Sequence, residues 1–130
     1  MGEKLLEFLE SDLYTYLAKC LRVIDGDTLE LDIDLGLHVH VIEKVRLFGI
    51  DTPEVYGVKK DSPEYEAGKK ASNRVIELLP EGTKLWVQTQ KDKEGKYGRY
   101  LVRAFLYVGD EFKCLNDLLV EEDLAIYKDY

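Results

Sequence analysis

Cysteine, histidine and proline are scarce in this chain of 130 residues. The two cysteines, Cys20 and Cys114, lie far apart, and no Cys/His spacing suits zinc. Two half-buried thiols are therefore expected rather than a disulfide or a zinc module. His38 and His40 share one strand face, but with no third ligand near in sequence the plainer reading is a wet face. No apolar run is long enough to span a bilayer, so no membrane partner is expected. Met1–Asp12 carries Glu3, Glu7 and Glu10 and lacks the apolar stretch of a signal peptide, which points to the cytoplasm. Repeats and low-complexity tracts are absent too.

Bases are also in short supply. There are 18 Lys and Arg against 26 Asp and Glu, for a net charge of −8. That balance is unexpected for a phosphate binder, but it is uneven along the chain. Residues 1–42 and 104–130 are acidic, whereas residues 43–103 hold ten acids against thirteen bases. A local positive strip on an acidic body follows.

What is present is enough for one domain spanning residues 1–130, since 45% of the residues are hydrophobic. A monomer is expected. Residues 3–10 place Leu5, Leu6 and Leu9 on one side of a short helix. Strands are expected over Tyr14–Ile24, Leu29–Leu35, Leu37–Ile50, Lys84–Thr89 and Tyr100–Val108. Ser62-Pro63-Glu64 is a helix start, with apolar residues recurring at helical spacing as far as Leu79. A second helix covers Leu115–Glu122, and residues 91–96 read as a polar loop. Five antiparallel strands with a helix between the third and fourth make an α+β layout, that of an OB-fold barrel. Periodicity alone also permits another small α+β sheet.

Three stretches carry chemistry. Asp25-Gly26-Asp27-Thr28 is a turn between strands. Arg46 through Glu54 is an apolar strand ending in a charged turn, Asp51-Thr52-Pro53-Glu54. Lys96-Tyr97-Gly98-Arg99 precedes another strand. Each alone is more simply a turn or hairpin end. Together they offer carboxylates at strand ends for a hard cation such as Ca²⁺, and arginines that can fork onto a phosphate. Glu54 could accept a proton from water. Crowding Asp27, Asp51 and Glu54 on one rim should create repulsion, so Asp27→Asn is expected to stabilise the metal-free protein.

In this order the three stretches resemble the staphylococcal nuclease (thermonuclease) family, with the likeness running from about Leu17 to about Ala125. The resemblance implies an OB-fold and Ca²⁺-dependent cleavage of DNA and RNA to 3′-phosphates. It implies Asp27, Asp51 and the Thr52 carbonyl as Ca²⁺ ligands, with Arg46 and Arg99 on the scissile phosphate. It further implies Glu54 as general base, and Lys96 and Tyr97 on a substrate phosphate. Tyr127 and Tyr130 are both candidates for a substrate-contacting tyrosine. Asp123 stands where the family usually closes a helix with glycine. The rival reading is a non-catalytic OB-fold that binds nucleic acid or another protein.

Overall fold

The structure, a computed structural model, describes residues 2–11, 13–94 and 99–128, with only the backbone described at 91–94. Its elements are α1 (Gly2–Ser11), β1 (Thr15–Asp25), β2 (Thr28–Asp34), β3 (His40–Leu47), β4 (Ile50–Asp51), α2 (Pro63–Leu78), β5 (Lys84–Glu94), β6 (Tyr100–Val108), β7 (Glu111–Cys114), α3 (Leu115–Glu121) and β8 (Ile126–Tyr127). Alternation builds the barrel. Along β2, Leu29, Leu31 and Ile33 face inward and are buried, while Glu30, Asp32 and Asp34 stay partly exposed. The sheet runs β3-β2-β1-β5-β6-β7 with antiparallel neighbours. A parallel pairing of β3 with β6, through Val45↔Tyr100, Arg46↔Leu101 and Leu47↔Val102, closes five strands into the expected OB barrel. The core is filled from β1, β2, β3, β5, β6, α2 and α3.

Several details differ from the sequence reading. The third barrel strand is shorter than Leu37–Ile50. Leu37 and His38 turn the chain at φ of 55° and 63°, and Gly49, at 79°, breaks it again. The residues beyond that break form β4, which pairs with β8. Two-residue strands carry no period to read, and β8 was not anticipated. Nor was β7, a four-residue strand after the Gly109 turn. β5 runs on to Glu94, through residues expected to be loop. The thiols separate: Cys20 is buried and Cys114 half-buried, both free. Burial pushes the Cys20 thiol up to about 11.

The helices are positioned by polar devices. Ser62 Oγ accepts the Tyr65 N–H at 3.2 Å, with Pro63 in the first turn of α2. Asn116 is buried at the start of α3 and joins β6 to the turn that follows β3. Its amide donates to Phe48 O at 2.8 Å and Val102 O at 3.1 Å, and its Oδ1 accepts the Ala104 N–H at 3.0 Å. It thereby ties α3 to the β3–β6 seam. α3 closes with Leu124 N–H donating to Leu119 O and Asp123 N–H to Val120 O, while Asp123 sits at φ 61°. This is a Schellman closure with aspartate where glycine costs least. Asp123→Gly should therefore raise stability by about 1 kcal/mol. Urea unfolding checks this, and a less stable variant would show that the carboxylate contributes more than the backbone strain removes.

Candidate active site

Two tight turns and the barrel seam bring the site together. Asp27 lies in the β1–β2 turn, and Thr28 opens β2 directly opposite Arg46 of β3. Arg46 in turn lies opposite Leu101 of β6, so Arg99, just before that strand, reaches the same rim. Gly49 turns the chain so that β4 returns Asp51 to the arginine five residues earlier.

Arg46 is the centre of the cluster. Its Nη1 lies 2.7 Å from Asp27 Oδ2 and its Nη2 lies 2.9 Å from Asp51 Oδ1, with Ile50 O accepting at 3.4 Å. Asp27 is almost fully buried and is satisfied on every side. The Thr52 N–H donates to its Oδ2 at 3.2 Å, and the Thr28 hydroxyl donates to its Oδ1 at 3.1 Å. Burial alone would raise the Asp27 pKa. Hydrogen bonding with Asp25, the Arg46 charge and the Thr52 N–H outweigh that and hold it below the usual carboxylate range. Asp25 moves the other way, pushed up to about 7 by burial and by the neighbouring Asp27. Its Oδ1 accepts the Asp27 N–H at 3.1 Å. Arg99 donates to Thr28 Oγ1 at 3.0 Å.

This geometry reverses one expectation. Asp27 and Asp51 are not left to repel each other, because one guanidinium bridges both. Asp27→Asn should thus weaken the metal-free protein rather than stabilise it, since the lost charge leaves Arg46 half-compensated.

The fold thus brings Asp27, Arg46, Asp51, Thr52 and Arg99 together, Thr52 through its N–H on Asp27 and Arg99 through Thr28. Glu54 is exposed on the following loop and makes no hydrogen bond or ion pair with the cluster among the described residues. Lys96, Tyr97 and Tyr130 lie outside the described residues. Tyr127 is exposed on β8, and its hydroxyl donates to Asp117 Oδ1 at 3.2 Å, away from the cluster. Lys128 is an unanticipated member: its Nζ lies 3.7 Å from Asp51 Oδ2, and its N–H donates to Gly49 O. Its place depends on the two-residue β4–β8 pairing, for which the sequence holds no signal.

α2 serves as a pedestal for both turns. A Cβ on Gly68 would stand 2.7 Å from Val55 Cγ2 and 2.8 Å from the carbonyl oxygens of Pro53 and Glu54. A Cβ on Gly26 would stand 3.0 Å from Ala71 Cβ and 3.1 Å from two Thr52 side-chain atoms. The helix backbone thus presses on the segment carrying Asp51 to Glu54.

A cleft of about 500 Å³ lies beside the cluster, between residues 51–54, the first turns of α2, and Asp123–Ile126. Its lining includes Asp51, Glu54, Glu64 and Asp123 and no base. A polyanion would be repelled there, so the approach open to phosphate is the Arg46–Arg99 side. The donors that meet at Arg46 are all oxygens, two carboxylates beside a backbone carbonyl, which is the chemistry a hard cation selects. Among the described residues no third Asp, Glu, His or Cys completes a closed metal cage.

The family described as "Staphylococcal nuclease homologue" matches residues 44–130. The chain is 40% identical over 116 residues to a thermonuclease of Staphylococcus intermedius, covering 89% of this chain and 61% of that one. It is 37% identical over 112 residues to a thermonuclease of Staphylococcus hyicus, covering 86% and 59%. Endonuclease YhcR of Bacillus subtilis is 36% identical over 84 residues, 62% of this chain but 6% of that larger protein. The chain thus spans about three fifths of the length of the two thermonucleases. With the barrel, the turn motifs and the family match together, the chain belongs to the staphylococcal nuclease homologue family.

Proposed function

We propose that the chain is a Ca²⁺-dependent nuclease that hydrolyses phosphodiester bonds of DNA, RNA or both and leaves 3′-phosphate products. The observation that carries this reading is the Arg46 bridge between Asp27 and Asp51, with Arg99 reaching the same cluster through Thr28. Asp27, Asp51 and the Thr52 carbonyl would hold the cation, which supplies positive charge against the charge developing on the phosphate. Arg46 and Arg99 fork onto the non-bridging oxygens and stabilise the more highly charged transition state. Glu54, on its exposed loop, takes the proton of the attacking water. Lys96 and Tyr97 contact a further substrate phosphate. Catalysis in this form needs one chain only.

The test is product analysis with single-stranded DNA and RNA, with Ca²⁺ or with chelator. Cleavage is expected only with Ca²⁺, and Asp27→Ala should abolish it while the fold survives. Tight binding without cleavage in Ca²⁺ would instead favour the non-catalytic OB-fold module.

Substrate form follows from the charge map. We read the bases gathered in residues 43–103, among them Arg99 and the exposed Lys59 and Lys60, as a narrow strip on an acidic body. A single strand can lie along it, whereas the second backbone of a duplex meets acidic flanks. Single strands should be cut faster, and neutralising only a few phosphates gives a shallow salt dependence, about −0.7 per phosphate. Cleavage of one sequence in both forms over a salt series measures this; equal or faster duplex cutting contradicts it.

A further inference from the structure

Among the described residues, two of the apolar surfaces that face solvent lie apart from the cluster around Arg46 and from the β2–β3 turn. One is α1. Every residue from Gly2 to Ser11 is exposed, including Leu5 at 61%, Leu6 at 56%, Phe8 at 64% and Leu9 at 57%. These four line one side at helical spacing, and Glu3, Glu7 and Glu10 make the rest of the helix acidic. An isolated helix of ten residues is marginal in water without something to pack on.

The other surface is the outer face of β1, β5, β6 and β7. Leu17 lies opposite Trp86, Trp86 opposite Phe105, and Tyr107 opposite Phe112. Tyr107 is 62% exposed and Phe112 51%. Trp86 stands edge-on at 5.4 Å from Phe112 and 6.1 Å from Tyr107, while Phe112 stacks on Phe105 at 6.1 Å. The patch offers a ridged apolar surface rather than open ring faces on which bases could stack. Two residues along the same face, Lys19 and Lys84 stand directly opposite each other, both exposed, and neither makes an ion pair among the described residues. Like charges placed across a strand pair are destabilising unless a counter-charge arrives.

We propose that the chain forms a twofold dimer in which α1 of each copy lies across the aromatic sheet face of the other. The apolar stripe of the helix covers Trp86, Tyr107 and Phe112, and Glu3 and Glu10, which flank the stripe beside Leu6, come to the Lys19–Lys84 rim, while Glu7 faces solvent. α1 does not cover its own patch: its last turn is held beside β5 by Gln88 Nε2 donating to Ser11 O at 3.3 Å, yet none of its residues is buried. A stable interface buries about 800 Å² per partner, more than one short helix supplies. The twofold arrangement uses helix and patch twice, which brings the contact toward that size. The same acids oppose an anionic lipid surface as the occupant.

Sedimentation of the full chain from low micromolar to millimolar concentration tests this, with cleavage activity and circular dichroism as controls on folding. The wild type should shift from one chain mass to two. Leu9→Glu and Tyr107→Glu should each remain at one chain mass, with activity and helix content retained. An equimolar mixture of the two variants should recover heterodimer, because one intact helix then meets one intact patch. A wild type that stays monomeric throughout overturns the proposal, whether or not it floats with vesicles of phosphatidylcholine and phosphatidylserine. So does a Tyr107→Glu variant that dimerises like wild type, which would mean that the helices pair with each other. A mixture that fails to associate although wild type dimerises also overturns it.

Discussion

Arg46→Ala should lose cleavage by roughly 10²–10³, and it should also destabilise the metal-free fold, by about 3–5 kcal/mol. The second effect comes from what the guanidinium leaves behind. Asp27 is 6% exposed at its side chain, and Arg46 is its partner at 2.7 Å. Removing one member of a buried pair strands the other charge in a poorly solvated place. The Arg46 charge also helps, after hydrogen bonding with Asp25, to hold the buried Asp27 carboxyl below the usual carboxylate range. Stability from the pair is present above the ordinary carboxylate range and is lost as pH falls through the lowered value. Arg46→Lys should keep part of the stability, since an ammonium still neutralises charge. It should not restore cleavage, because one point charge cannot fork onto two oxygens. Ca²⁺ should narrow the stability gap between Arg46→Ala and wild type, with the cation taking over the neutralising charge; at 100 times its dissociation constant, binding to the folded state adds about 2.7 kcal/mol. Urea unfolding with chelator and with Ca²⁺, beside cleavage rates, measures all of this. An alanine variant as stable as wild type in chelator, or one that cleaves at the wild-type rate, would falsify the bridging role.

Gly68→Ala should damage activity out of proportion to its size. Alanine normally strengthens a helix interior by up to about 1 kcal/mol over glycine. Here the added methyl meets two backbone carbonyl oxygens at 2.8 Å, and a backbone cannot swing aside as a side-chain tip can. Either α2 or the 53–55 segment must move. Overpacking of this kind costs typically about 1–3 kcal/mol. The 53–55 segment follows Asp51 and Thr52 directly, and a shift of about 1 Å in such a group can cost about 10²-fold in rate. The check is a pair of measurements on Gly68→Ala, melting temperature and cleavage rate. A variant that is more stable and fully active would show that α2 does not set the position of the loop.

Much of this was legible in the residues, and the reason is local. Asp27, Arg46, Asp51 and Thr52 sit within or beside strands whose alternation is strong, so strand ends could be located and the charges placed at one rim. The three stretches in family order did the rest. The pairing among those charges was not legible, because spacing does not say that one arginine bridges two carboxylates. That bridge is why Asp27→Asn is expected to destabilise the metal-free protein, where crowding of like charges alone predicts the opposite. Gly68 reads in sequence as a weak spot in a helix, and only the approach of residues 53–55 gives it a role. Gly49 was the one signal of a break within an apolar run that otherwise reads as continuous strand. β4 and β8 are too short for any period, so Lys128 had no address near Asp51.

The parallel β3–β6 seam also sets when the site can exist. Val45 to Leu47 pair with Tyr100 to Val102, segments more than fifty residues apart, and Asn116 locks that seam from α3. Contacts at such separation form late, because the intervening chain must be closed before they bring any gain. Arg46 lies in the middle of the seam, and Arg99 immediately precedes the strand that completes it. A chain still emerging in synthesis, with β1 to β3 already paired as a meander, would hold Asp27 and Arg46 but no second arginine. Recovery of cleavage during refolding should therefore follow barrel closure and lag behind the first hairpins.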